Sequence, residues 1–394
     1  MELDIVAVQE ALQADSLDGW LLYDFHGSNP IASHLIGLDR PELVSTRRWF
    51  YLLPASGEPR ILAHAIELHH FDDLPGVKES YTDRQQLKTS LQRLLTGQQR
   101  IAMEYSPKCS IPSVSRVDAG TIELIRELGL EVVSSGNLVQ KFEATWNDLS
   151  LDTHRNASEI LHRIKDRTFA EIANRIRESA PVSEYEIRNL MLSWFKQERL
   201  ITDAGPIVAT QENTASPHYQ PTAERHRTIE PEQVILIDLW GKLPIPGAVF
   251  ADITWMGYTG RKVPDDVSHA FETVCNARDV AISLVQSTVK EGRELRGWEV
   301  DRTVRDIVER AGYGSAFVHR TGHSLGVEVH GTGVNMDDYE THDDRLLLPG
   351  TGFTIEPGIY LDSFGVRTEI NMYISNREGI VTGPTQTEIL ALPL

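Results

Sequence analysis

Val234-Ile-Leu-Ile-Asp238-Leu-Trp240 is an apolar strand-like run with a carboxylate set near its end, and the chain repeats that device three more times. Ala251-Asp252-Ile-Thr-Trp255 follows fourteen positions later, and Phe353-Thr-Ile-Glu356-Pro-Gly-Ile-Tyr360 places a third acid after an apolar run. Gly365-Val-Arg367-Thr-Glu369-Ile-Asn371-Met alternates, so Arg367, Glu369 and Asn371 share one face of a strand. A charge inside a buried strand is costly unless it is paired or bound to a metal. One such acid is ordinarily a turn or strand-end residue. An exposed polar sheet face would explain the last pattern equally well, but four such acids in this order point to a fold that gathers them around a common counter-charge.

The segment Phe317-Val-His319-Arg-Thr-Gly-His323-Ser-Leu-Gly-Val-Glu-Val-His330 adds three histidines within twelve positions, among glycines that let backbone approach a ligand closely. A lone histidine here would be read as structural. Three of them downstream of two strand acids point to a site. Asp238, Asp252, His323, Glu356 and Glu369 together supply four carboxylates and one imidazole. That shell suits two divalent cations, whose charge balances the four acids. Cations sharing a bridging water lower its pKa toward ~7, which yields a hydroxide nucleophile for an amide carbonyl.

Composition narrows the partners. The 57 acidic and 38 basic residues give a formal net charge of −19, which repels phosphate backbones and anionic lipid, so neither nucleic acid nor membrane is expected as a partner. No apolar run approaches the ~20 residues needed to span a bilayer. Cys109 and Cys275 lie far apart in no ligand or redox spacing. The first residues, MELDIVAVQEALQADSLDGW, carry acids where a signal peptide has positive charge. A soluble, cytoplasmic protein is the expectation.

A length of 394 residues predicts two domains, placed at 1–152 and 153–394. In the first, residues 3–16 and the stretch Leu87–Leu95 read as helices. WLLY, RWFYLLP, PRILAHA, RIAMEY and LEVVSS read as strands, giving an α/β unit. ATWNDLSLDTHRNAS lacks an apolar pattern and reads as the connection, followed by a helix striped with Ile160, Ile164, Ile172 and Ile176. Ser183-x-x-Glu186 has the form of a capping box opening a second helix, and 264–290 and 297–311 predict two more. A helix pair followed by strands thus occurs twice, the pattern of an internal structural repeat.

On these motifs the chain resembles the pita-bread metallopeptidases, the family of methionine aminopeptidase, aminopeptidase P, prolidase and creatinase. The order Asp, Asp, His, Glu, Glu matches, as do the GHSLG, TIEPG and VRTEI contexts. The resemblance covers roughly residues 156–394, and more vaguely a creatinase-type α/β domain before them. It implies a pita-bread catalytic domain in an α/β (α+β) chain, with Asp238, Asp252, His323, Glu356 and Glu369 holding two divalent ions, Mn, Zn or Co. Glu356 would also act as general base. His218, in Asn213-Thr-Ala-Ser-Pro-His218, matches the family's substrate histidine, and His330 the one that stabilises the tetrahedral intermediate. His319 and Arg367 would engage the proline side and its carboxylate.

The resemblance further implies Xaa-Pro dipeptide hydrolysis, with aminopeptidase P activity or hydrolysis of a non-peptide C–N bond as alternatives. Intact ligands argue against a non-enzymatic binding protein. A homodimer is implied, with His26 to Trp49 a candidate for reaching the partner's site. Departures are also visible. Asp238 and Asp252 stand fourteen apart where the family has eleven, which places an insertion in LPIPGAVF. Trp240, Trp255 and Gly331 replace the family's usual residues.

Overall fold

The computed structural model describes residues 3–40, 43, 45–180 and 182–392, and the chain forms two compact units, Met1–Glu143 and Ala144–Leu394. In the first unit, strands β1 (Gly19–Asp24) and β2 (Trp49–Pro54) are buried at every position. They sit centrally in a six-stranded sheet with β3 (Arg60–His64), β4 (Val77–Tyr81), β5 (Arg100–Met103) and β6 (Glu131–Ser134), in the order β4-β3-β2-β1-β5-β6. Burial on both faces explains why these strands are apolar runs without polar alternation. The period of two still sorts their side chains. Trp20, Leu22, Trp49 and Tyr51 pack with helices α1 (Ile5–Ala14), α2 (Pro30–Leu35) and α5 (Gly136–Glu143). Leu21, Tyr23, Phe50 and Leu52 pack with α3 (Arg84–Leu94) and α4 (Ala119–Glu127).

The buried Glu104 carboxylate ties this unit together. It accepts from Trp20 Nε1 at 2.6 Å, Asn29 Nδ2 at 2.8 Å and Ser135 Oγ at 3.0 Å. Burial raises its pKa above the usual carboxylate range.

The second unit begins differently from the sequence expectation. Helix α6 spans Asp148–Arg177, so most of the stretch read as a connection is helical. Asn147 caps it by accepting from Ser150 N at 2.8 Å. Its first turns bury Ser150, Thr153, His154, Ala157 and Ser158, small or polar residues that give no apolar stripe until Leu161. Helix α7 (Glu184–Gln197) follows, opened by the expected Ser183–Glu186 capping box. A two-strand pair, β7 (Val182–Ser183) and β9 (Thr228–Ile229), brackets it in sequence.

The first sheet of this unit has the order β18-β11-β10-β8, with β8 Ile207–Thr210, β10 Val234–Gly241, β11 Ala251–Tyr258 and β18 Leu390–Ala391. Ile235, Ile237 and Leu239 point to α6 and α7, whereas Val234 and Leu236 share a core with the second half of the unit. Gly257 permits the close approach of α6, because a Cβ there would lie 2.4 Å from the Phe169 ring. Helices α8 (Asp265–Lys290) and α9 (Gly297–Arg310) precede a second four-stranded sheet. Its order is β12-β13-β16-β17, with β12 Ser324–Leu325, β13 Gly352–Ile355, β16 Ile370–Ile374 and β17 Gly379–Val381. β14 (Gly358–Tyr360) and β15 (Gly365–Arg367) pair beside it. The helix-pair-then-sheet order therefore occurs twice. Asn371 joins the two sheets: Asp252 N donates to its Oδ1 at 3.0 Å, and its Nδ2 donates to Asp252 O. Among the described residues, no helix is long and apolar enough to cross a membrane.

Candidate metal centre and substrate cavity

Strand register brings the first two acids together. Asp238 lies opposite Thr254 and Asp252 opposite Trp240, so the carboxylates are diagonal neighbours on the face shared with the second sheet. His323 directly precedes β12, Glu356 directly follows β13, and Glu369 directly precedes β16. Gly322 lets the histidine segment lie against β13, since a Cβ there would meet Thr354 O at 2.0 Å. All nine residues singled out in the sequence (Asp238, Asp252, His323, Glu356, Glu369, His218, His319, His330 and Arg367) line one cavity of about 400 Å³.

Asp252, His323 and Glu369 each offer a ligand atom within 4.8 Å of the others, and all three are buried. His323 Nε2 stands 3.6 Å from both Asp252 Oδ2 and Glu356 Oε1. Asp252 Oδ1 is buried with no hydrogen-bond partner among the described residues. Burial pushes Asp238 and Asp252 up to about 7 against the pull of Arg367. Glu369 is driven well above the carboxylate range by burial and then by the Asp252 charge, and burial raises Glu356. Burial also lowers His323, favouring the neutral imidazole that ligates metal. An orphan carboxylate oxygen, a neutral imidazole and crowded buried acids fit a site for divalent cations.

The surrounding side chains fix these donors. Arg367 donates through Nη2 to Asp238 Oδ2 at 2.6 Å, through Nε to Thr254 Oγ1 at 3.0 Å and through Nη1 to the Tyr360 hydroxyl at 3.0 Å. Thr254 Oγ1 in turn donates to Glu369 Oε2 at 2.8 Å. His319 is engaged at both ring nitrogens, with Arg320 O and the Tyr360 hydroxyl, each at 2.7 Å. Burial holds it neutral, lowered to about 3. His218 and His330 are exposed at the cavity, and the His330 ring packs edge-on against His323 at 4.4 Å between centroids.

The loop bearing His218 is held by Glu184, the first residue of α7. This buried carboxylate accepts from Thr210 N at 2.7 Å, Asn213 Nδ2 at 3.0 Å, Tyr219 Oη at 2.6 Å and Arg227 N at 2.7 Å. Glu184, Thr254 and Tyr360 have no counterpart in the sequence-derived set. Only Thr254 carried a usable signal, because strand alternation places it on the Asp252 face.

The departures in sequence differ in consequence. Trp240 lines the cavity, and its Nε1 donates to Asp203 Oδ1 at 2.6 Å. Trp255 points to the opposite face of β11, under Lys165 Nζ at 3.9 Å and edge-on to His162, away from the acids. Gly331 packs on β12, where a Cβ would lie 2.9 Å from Ser324 Oγ.

Comparison with known proteins agrees with this architecture. Dipeptidase PepE from Mycobacterium ulcerans has the same fold, with a TM-score of 0.70 at 21% identity over 99% of this chain and 97% of that one. Prolidase from Thermococcus sibiricus gives 0.61 at 22% identity over 98% of each chain. The pita-bread fold of the second unit and the smaller α/β unit before it are thus shared along the whole chain. In sequence, an Xaa-Pro dipeptidase of Lactobacillus delbrueckii subsp. lactis is 32% identical over 202 residues, 51% of this chain and 49% of that protein. The chain spans about half the length of the curated relatives it matches. The family model for metallopeptidase family M24 matches residues 154–376, more than half of the sequence. The chain belongs to metallopeptidase family M24.

Proposed function

We propose that this chain hydrolyses the Xaa-Pro bond of dipeptides, using two divalent cations held by Asp238, Asp252, His323, Glu356 and Glu369. The observation that carries this reading is the convergence of those five side chains on one cavity, with Asp252 Oδ1 left unpartnered among the described residues. When bound, the cations would supply Lewis acidity and an acidified water. Glu356 then takes the proton of the attacking water as general base. His330 and His218, both exposed at the cavity, donate to the carbonyl oxygen as negative charge develops there. Arg367 holds Asp238 in place, while the neutral His319 ring, held from behind by the Tyr360 hydroxyl, offers a wall for the proline ring. An Xaa-Pro bond has no N–H, so its recognition needs such a wall rather than an acceptor for a donor.

Manganese, zinc and cobalt each suit a carboxylate-rich shell with one imidazole. The reading includes a homodimer, which rests on the family resemblance alone, and a cytoplasmic location, which the wide spacing of Cys109 and Cys275 supports. The segment His26 to Trp49, expected to reach the partner, contains Pro41, Glu42 and Val44, which lie outside the described residues.

The test is hydrolysis of Ala-Pro, Leu-Pro and Ala-Pro-Ala by metal-stripped protein after Mn²⁺ or Zn²⁺ is restored, alongside Glu356→Ala. Cleavage of the dipeptides alone, abolished in the variant, supports the dipeptidase. Cleavage of the tripeptide moves the assignment to aminopeptidase P, and no turnover sinks both.

A further inference from the structure

Two guanidinium groups line the cavity, and they differ in what they hold. Arg367 is only 3% exposed, and its nitrogens reach Asp238, Thr254, Tyr360 and Pro217 O. The Arg320 side chain makes no hydrogen bond or ion pair among the described residues, and it is half-buried at the cavity wall. Its backbone is nevertheless fixed. Arg320 N donates to Glu340 Oε1 at 3.1 Å, and the next residue, Thr321, donates to Asp301 Oδ1 through N at 2.9 Å and Oγ1 at 2.6 Å. Arg305, paired with Asp301 at 2.7 Å, donates to the carbonyls of Phe317 and His319. The backbone thus fixes where this guanidinium enters the cavity, and its donors are left available to an anion.

We infer that Arg320 anchors the free C-terminal carboxylate of the dipeptide and thereby favours substrates that end at proline. This rests on the peptidase reading above and assigns a specificity residue within it. The cavity otherwise presents Asp203, Asp238, Asp252, Glu340, Glu356 and Glu369, a wall that repels an incoming carboxylate. Four of those acids would be neutralised by cations, which leaves Asp203 and Glu340 to be offset. Arg320 is the guanidinium available for this, and its planar fork can bind both carboxylate oxygens.

The experiment compares Ala-Pro with Ala-Pro amide, and proline with prolinamide by calorimetry, using metal-loaded wild type, Arg320→Met and Arg320→Lys. Wild type should favour each free acid by about 10- to 100-fold, as a charge-assisted hydrogen-bond pair would give. Arg320→Met should raise KM for Ala-Pro to the amide's value with the amide unchanged, and Arg320→Lys should restore part of the preference. Equal handling of acid and amide by wild type overturns the assignment. So does an equal fall in kcat for both substrates in Arg320→Met, which would place the side chain at the oxyanion instead. If no proline dipeptide is turned over at all, the peptidase reading fails, and proline against prolinamide binding still decides the role of Arg320.

Discussion

Arg367 Nη2 lies 2.6 Å from Asp238 Oδ2, and the same guanidinium reaches Glu369 indirectly, through Thr254 Oγ1. One buried cation therefore orients a carboxylate from each sheet. Replacing Arg367 with Met should weaken divalent-metal binding by about 10- to 100-fold, the usual cost of losing a ligand's hydrogen-bonded support. Arg367→Lys should recover little, because an ammonium cannot serve Asp238, Thr254 and Tyr360 at once. Metal titration by calorimetry checks this, and an unchanged Kd would refute the arrangement.

Asp252→Asn separates the acid's cost to the fold from its use. Burial raises the Asp252 carboxyl from 3.8 to about 7, so its ionisation destabilises the metal-free protein progressively as pH rises across that window. The metal-free variant should melt above metal-free wild type at pH 8 and level with it near pH 4. Added Mn²⁺ should raise Tm of wild type much more than that of the variant. A variant less stable than wild type at pH 8 without metal would contradict the crowding of charge.

Glu184→Ala leaves four donor groups around the His218 loop without their acceptor. A loss of about 2–4 kcal/mol is expected, since unsatisfied buried donors carry most of that penalty. Glu184→Gln, which keeps one acceptor oxygen, should lose less. Urea denaturation of the three proteins measures it, and equal midpoints for wild type and Glu184→Ala would exclude the anchoring role.

Buried His154 bonds Phe250 O at 2.8 Å and Thr382 Oγ1 at 2.6 Å, and burial lowers it to about 4. The unfolded chain therefore binds a proton at this residue between about pH 6.5 and pH 4 that the folded chain does not. Stability from this group is intact above pH 6.5 and falls by on the order of 3 kcal/mol as pH drops to 4. His154→Gln should flatten that part of the stability-versus-pH curve relative to wild type. Parallel curves would show that the ring titrates normally in the fold.

Legibility of the sequence tracked the range of the physical signal. The strand acids stood out because a carboxylate in an apolar run needs an explanation wherever the run pairs. The first turns of α6 did not stand out, since Ser150, Thr153 and His154 face inward by polar contacts that leave no apolar period. Arg367 was legible as a site residue, but its partner Asp238 is 129 positions away, and only the fold shows that its guanidinium is already engaged. Tyr360 and Glu184 were silent for the same reason. A tyrosine after Pro-Gly-Ile and a glutamate after a capping serine have ordinary local explanations.

The β10–β11 ladder closes at Gly241 opposite Ala251, so residues 242–250 lie outside the register that aligns Asp238 with Asp252. The fourteen-residue spacing is thus no strain on the two acids, whose relation is set below the loop. The added length reaches elsewhere: Lys242 Nζ donates to Val327 O, and Phe250 N to Gly326 O at 3.0 Å, on the turn that leads to His330. The base of the loop is thus braced on the histidine segment, while its tip at Gly247 accepts from Ser150 Oγ of α6, so a change of loop length is absorbed outside the ladder that keeps the acid pair in register.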